Sequence, residues 1–109
     1  MTIATTPKPP YYAAIFSSFA TGADADGHGQ AAVQMVELAM KQPGFIGFEY
    51  GDPRADKFSL FVSYWRSDAD IRAWKQVADH LAIQEKGKSA WYSSYRIRIA
   101  KVERDYGRD

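Results

Sequence analysis

The sequence predicts an α+β domain: a four-stranded antiparallel sheet with two helices packed on one face. Three observations predict it. Four aromatic-rich runs have strand character, two stretches carry apolar residues at helical spacing, and the two kinds follow one another in the order β-α-β-β-α-β. With 109 residues, 46% hydrophobic and 15% aromatic, the chain suffices for one domain with a true core and not for two.

Residues 1–10, with Lys8 and three prolines, read as a flexible N-terminal lead that is extended and cannot enter a helix; the domain proper spans residues 11–106. Tyr11 to Phe19 is apolar on both alternating faces, as in a strand covered on two sides. The next segment, Thr21 to Gly29, lacks periodicity and holds three glycines, so it reads as a loop. From Gln30 to Lys41 a helix is expected, because Ala32, Val33, Val36, Ala39 and Met40 recur at three and four residues. Lys41 suits the negative end of that helix, and Pro43-Gly44 stops it.

Phe45 to Tyr50 and Lys57 to Trp65 read as two strands of a hairpin whose loop, Gly51 to Asp56, is longer than two residues. Ser67, with Asp70 three residues on, resembles a capping box, and Ile71, Trp74, Ala78 and Leu81 then mark an apolar stripe on a second helix. The helical pattern runs on, with a break near Gly87, as far as Tyr92. A last strand follows, in which Tyr95, Ile97 and Ile99 alternate with Ser94, Arg96 and Arg98. This order is the ferredoxin-like one, and it leaves one sheet face without helices. The simplest cover for strands apolar on both sides is the same sheet of a second subunit, so a homodimer is expected.

Fourteen basic and thirteen acidic residues leave a net charge of +1, so no global field draws the chain to nucleic acid or to a membrane surface. Arg96, Arg98, Lys101 and Arg104 interleave with Tyr92 and Tyr95, yet no RNP-type motif accompanies them, which argues against RNA binding. No run approaches the roughly 20 apolar residues of a membrane span. The absence of cysteine removes disulfides and thiolate chemistry and suits a reducing cytoplasm. Asp24-Ala-Asp-Gly-His28 has the donor types of a metal site but no recognised ligand spacing, so no metal is assigned and a solvated loop is expected.

His80 is the candidate catalytic residue, because an imidazole exchanges protons near neutral pH and can take one from a phenol. On a continuous helix His80, Gln84 and Trp91 fall within about 40° of one another. Trp65, Trp74, Gln84, Trp91 and Tyr95 are the candidate substrate-binding residues, able to wall a flat aromatic ligand; core packing is the competing role for the tryptophans.

Lys41-Gln-Pro-Gly-Phe45, Val62-Ser-Tyr-Trp-Arg-Ser67, Ala73-Trp-Lys75, His80-Leu-Ala-Ile-Gln84, Gly87, Trp91-Tyr92, Tyr95 and Val102-Glu-Arg104 together resemble the antibiotic biosynthesis monooxygenase (ABM) family. The resemblance covers nearly all of residues 11–106 and implies a dimeric α+β barrel. It also implies a range of activities: cofactor-independent oxygenation of aromatic polyketides, quinol oxidation, haem degradation in one branch, and members without a known reaction. The haem branch uses an Asn on the first strand, a Trp and a His. Here Ser17 and Ser18 stand where the Asn is expected, and Gln84 stands ten residues beyond Trp74, so haem is disfavoured. The expected function is therefore a cofactor-independent monooxygenase that joins molecular oxygen to a small aromatic or quinol-like substrate. The alternative is a dimer that binds a small apolar ligand without turning it over.

Overall fold

The computed structural model describes residues 2–23, 25–51, 55–84 and 91–108, with the side chains of 81–84 outside that description. Its elements are β1 (Tyr11–Ala20), α1 (Ala25–Met40), β2 (Phe45–Tyr50), β3 (Phe58–Trp65), α2 (Asp68–Gln84) and β4 (Tyr92–Val102). The strands lie in the order β2-β3-β1-β4, and each pairing is antiparallel. This is the ferredoxin-like arrangement expected from the sequence.

Local chemistry explains most boundaries. At the start of α2, Ser67 Oγ accepts the backbone N–H of Asp70 at 3.1 Å and donates to the Asp70 carboxylate at 2.8 Å. One of the donors that a helix start leaves unpaired is thereby satisfied. Gly44, which ends the turn after α1, has φ +80°, and a Cβ placed there would meet Asp70 Oδ2 at 2.0 Å. Both conformation and space therefore demand glycine, and the Gly44 carbonyl is free to accept the Arg66 N–H at 2.8 Å.

Two boundaries differ from expectation. Helix α1 begins at Ala25, not Gln30, so His28 stands on a helix rather than in a solvated loop. Gly27 and Gly29 weaken helical propensity there, but His28 packs on Trp91 and Tyr92, and that tertiary contact holds the first turns. At the other end, Trp91 lies just before β4, its carbonyl accepting the Thr21 N–H at 2.8 Å. It therefore continues the β1–β4 pairing and shares no helix face with His80 and Gln84. Gly87, Asp24 and hairpin residues 52–54 lie outside the described residues, as do the side chains of Leu81 and Gln84.

The core forms where both helices meet the sheet. Ala39 of α1, Ile71 of α2 and Trp65 of β3 are buried, and Tyr12, Ala14, Phe45 and Trp74 pack against them. Trp65 has no exposed surface, and its indole N–H donates to Ser63 Oγ at 2.9 Å. Burying about 200 Å² of indole contributes roughly 5 kcal/mol before entropy is counted.

The lead lies on the sheet's other face, outside this core. Ala4 N–H donates to Glu49 Oε2 at 2.9 Å, while Glu49 Oε1 accepts the Tyr64 hydroxyl. Tyr64 meets Tyr11 edge to face at 5.8 Å, and the Tyr11 hydroxyl donates to Asp105. Both ends of the chain are thus tied to that face.

Candidate functional site

Side chains alternate along a strand, so the core residues define which positions look toward the helices. Tyr12, Ala14 and Trp65 do, and the pairing register then places Phe16 and Ser18 of β1, Phe61 of β3, and Tyr95, Ile97 and Ile99 of β4 on that same side. At the end of the face away from Trp65, rings form a band across the four strands. Tyr50 and Phe48 stack on Phe61 at 6.3 and 5.6 Å; Phe61 pairs with Phe16; Phe16 lies 5.5 Å from Tyr92 and 5.8 Å from Tyr95. Tyr95 remains 63% exposed and Ile97 52% exposed, so the band is open toward β4.

Tyr92 and Tyr95 are three residues apart, an odd spacing that would put them on opposite faces of a regular strand. A bulge prevents this. Ser18 pairs with Tyr95 and Phe19 with Ser94, but Ala20 pairs with Tyr92, so Ser93 is the extra residue. Its hydroxyl donates to the Phe19 carbonyl at 3.3 Å. By leaving Ser93 out of the ladder, the bulge keeps Tyr92 on the helix side, as bulges do when they re-aim a side chain.

There Tyr92 meets His28, with the phenol oxygen 2.9 Å from imidazole Nε2. The Trp91 indole stacks on the imidazole at 5.1 Å and 7°, fixing the ring from its face, while the Tyr92 ring meets it edge-on at 4.8 Å. Burial pushes the Tyr92 phenol above its ordinary value, so it stays protonated at neutral pH. The arrangement can hold a flat molecule against rings and offer it one positioned hydroxyl.

The residues expected from sequence do not converge on one place. Trp91 and Tyr95 stand at this band. Trp65 and Trp74 stack at 6.2 Å in and beside the core, and Trp65, with no exposed surface, is a packing residue here rather than a ligand wall. His80 lies on the exposed side of α2, turned away from the buried Ile71 stripe. The Gln84 side chain lies outside the described residues. Of the two first-strand serines, Ser18 is the buried one facing the helices, and Ser17 faces the other way. Sequence reasoning grouped Trp91, Tyr92 and Tyr95 as a candidate aromatic rim but missed His28 as their partner and placed Tyr92 at the end of a helical pattern instead of in β4. Among the described residues no three His, Cys, Asp or Glu side chains gather as a metal site, and no helix is long and apolar enough to cross a membrane.

The order of elements and the ring-lined sheet face define a ferredoxin-like α+β domain with a candidate small-molecule surface. The antibiotic biosynthesis monooxygenase family model matches residues 10–86, and the chain belongs to that family. It is 50% identical over 99 residues to the uncharacterised protein YqjZ of Bacillus subtilis (strain 168), a match covering 91% of this chain and 85% of that protein. Among solved structures it is similar to SnoaB, a cofactor-independent oxygenase from Streptomyces nogalater, with a TM-score of 0.72 and 13% identity over 89% of this chain and 97% of the other. The haem degrader MhuD of Mycobacterium tuberculosis superposes with a TM-score of 0.65 and 18% identity over 88% of this chain and 99% of the other. At these identities the two structures show the shared fold alone.

Proposed function

We propose that this chain is a cofactor-independent monooxygenase for a small aromatic or quinol-like substrate, working in the cytoplasm as a homodimer. The observation that carries the reading is the open band of rings on the helix side of the sheet, in a chain of this family. A flat substrate stacks on Phe16 and Tyr95, and the surrounding apolar side chains keep water from the reacting carbon. The substrate supplies the electrons. Once an anthrone loses a proton, its carbanion reduces dioxygen; one oxygen atom becomes the new ring carbonyl and the other leaves as water. Exposed Phe19 and Leu60 on the opposite sheet face support burial against a second subunit.

Haem fits this chain poorly. The first-strand position facing the helices is the buried Ser18, and His80 lies on the exposed side of α2, so no step is routed through haem. Oxygen uptake tests the proposal. Purified protein with 9-anthrone and a series of hydroquinones is expected to consume oxygen above the buffer rate, with one dioxygen used per anthrone. Uptake no faster than buffer across the series would leave a ligand-binding dimer as the better reading.

A further inference from the structure

Stacked rings alone accept any flat molecule of suitable size, so the band needs a polar contact to discriminate among them. Tyr50 and Tyr95 contribute to the band but are largely exposed, and their hydroxyls compete with water. Tyr92 differs in three respects. It is half-buried, its hydroxyl is held by His28 Nε2 at 2.9 Å, and it reaches this face because the bulge takes Ser93 out of the ladder. We propose that Tyr92, oriented by His28, is the polar anchor of the band and selects aromatic ligands that carry a hydroxyl or carbonyl oxygen.

A phenol has one donor and two acceptor sites. His28 occupies one of them in either imidazole tautomer, and the remaining capacity serves the ligand. If Nε2 carries the proton, the Tyr92 O–H is released to donate to a carbonyl. If Nε2 accepts, the Tyr92 oxygen receives a ligand hydroxyl. The pair therefore accommodates both the keto and the hydroxyl forms of one ring system, the two forms that an anthrone or quinol presents. Trp91, stacked at 7° on the imidazole, limits rotation of the ring and so fixes where the phenol oxygen sits. Tyr92 touches the ligand in this arrangement; His28 and Trp91 position it.

The inference rests on the proposed reading of the band as the substrate surface, and binding tests it independently of turnover. Full-length protein is titrated under argon with 2-naphthol and with naphthalene, which has the same shape without the oxygen, and tryptophan fluorescence is followed. Wild type is expected to bind 2-naphthol roughly tenfold more tightly, the equivalent of one net hydrogen bond. Tyr92→Phe is expected to bring that ratio to about one while leaving naphthalene affinity unchanged, whereas Tyr95→Ala weakens both ligands together. His28→Leu reduces the ratio about threefold, and His28→Gln, which keeps a hydrogen-bonding group, restores part of it. A Tyr92→Phe protein that retains the wild-type preference overturns the anchor, as does a wild type without one. Oxygen uptake on 9-anthrone without any naphthol preference would sink the anchor and keep the oxygenase. Failure of both probes to bind, with Ile97→Ser converting a dimer to monomers, would make the band a subunit contact and overturn the anchor and the substrate surface together.

Discussion

The two ends of the helix-facing sheet surface are built from similar rings and have opposite fates. Around Trp65, the small side chains of Ala14 and Ala39 let both helices settle onto the sheet, and the indole vanishes from solvent. Around Phe16, Tyr92 and Tyr95 the sheet ends in its edge strand β4, and Tyr95, Ile97 and Ile99 stay exposed. Aromatic content therefore does not separate core from site in this molecule. Whether a helix side chain lies on top does, together with a polar pair seated among the rings.

That contrast can be broken by substitution. Trp65→Ala is expected to cost about 3–5 kcal/mol in urea unfolding, and a cost under about 1 kcal/mol would show that the closed end is not the core. Gly44→Ala should cost roughly 2 kcal/mol or more, since the new methyl meets Asp70 and the backbone is left-handed; the same urea series measures it. At the open end, Tyr92→Phe is expected to remove only about 1 kcal/mol of stability while erasing the preference for oxygenated ligands. If Tyr92→Phe proved as damaging as Trp65→Ala, the two ends would be one core.

A further effect is confined to alkaline solution. The Tyr64 phenol is raised above 10.0 by burial first and by its bond to Glu49 second. An unfolded phenol ionises near 10.0 while the folded one keeps its proton, so the contribution is complete below that pH and is lost as pH rises through the folded value. Stability should fall above pH 10, and Tyr64→Phe should make that fall shallower by up to about 1.4 kcal/mol per pH unit. Equal slopes in the two proteins would show that Tyr64 titrates as it does unfolded. The smallest effect is expected for His80→Ala, at under about 0.5 kcal/mol in stability and less than a twofold change in oxygen uptake. A large loss of uptake would move the reacting centre from the band to α2.

Elements governed by local rules were legible from sequence. The Ser67–Asp70 cap, the Pro43-Gly44 stop and the strands around the hairpin follow from side chains within a few residues of each other. His28 was not legible, because Gly27 and Gly29 mask the helix start and only docking on Trp91, distant in sequence, fixes it. Trp91 itself mimics helical spacing from His80 and Gln84, yet pairing with Thr21 makes it extended. The shared face of Tyr92 and Tyr95 was hidden because the helical pattern reads on to Tyr92, which puts the two rings in different elements, whereas β4 begins at Tyr92. The signal was present in Tyr92-Ser-Ser-Tyr95, where two rings at odd spacing share a face only if one residue is extra.

Ser93 is therefore the residue that the β1–β4 ladder leaves uncounted, and Tyr92 shares a face with Tyr95 because the bulge absorbs it. Deleting Ser93 would leave Tyr92 opposite Ala20 on the helix side, whereas a regular ladder that counted Ser93 would set Tyr92 opposite Thr21 on the far side of the sheet, parting it from His28 without altering either residue. In this strand a slip of pairing by one position is a more abrupt route to new ligand choice than any exchange of side chains, and deletion of Ser93, which keeps Tyr92 opposite Ala20, should leave that choice intact.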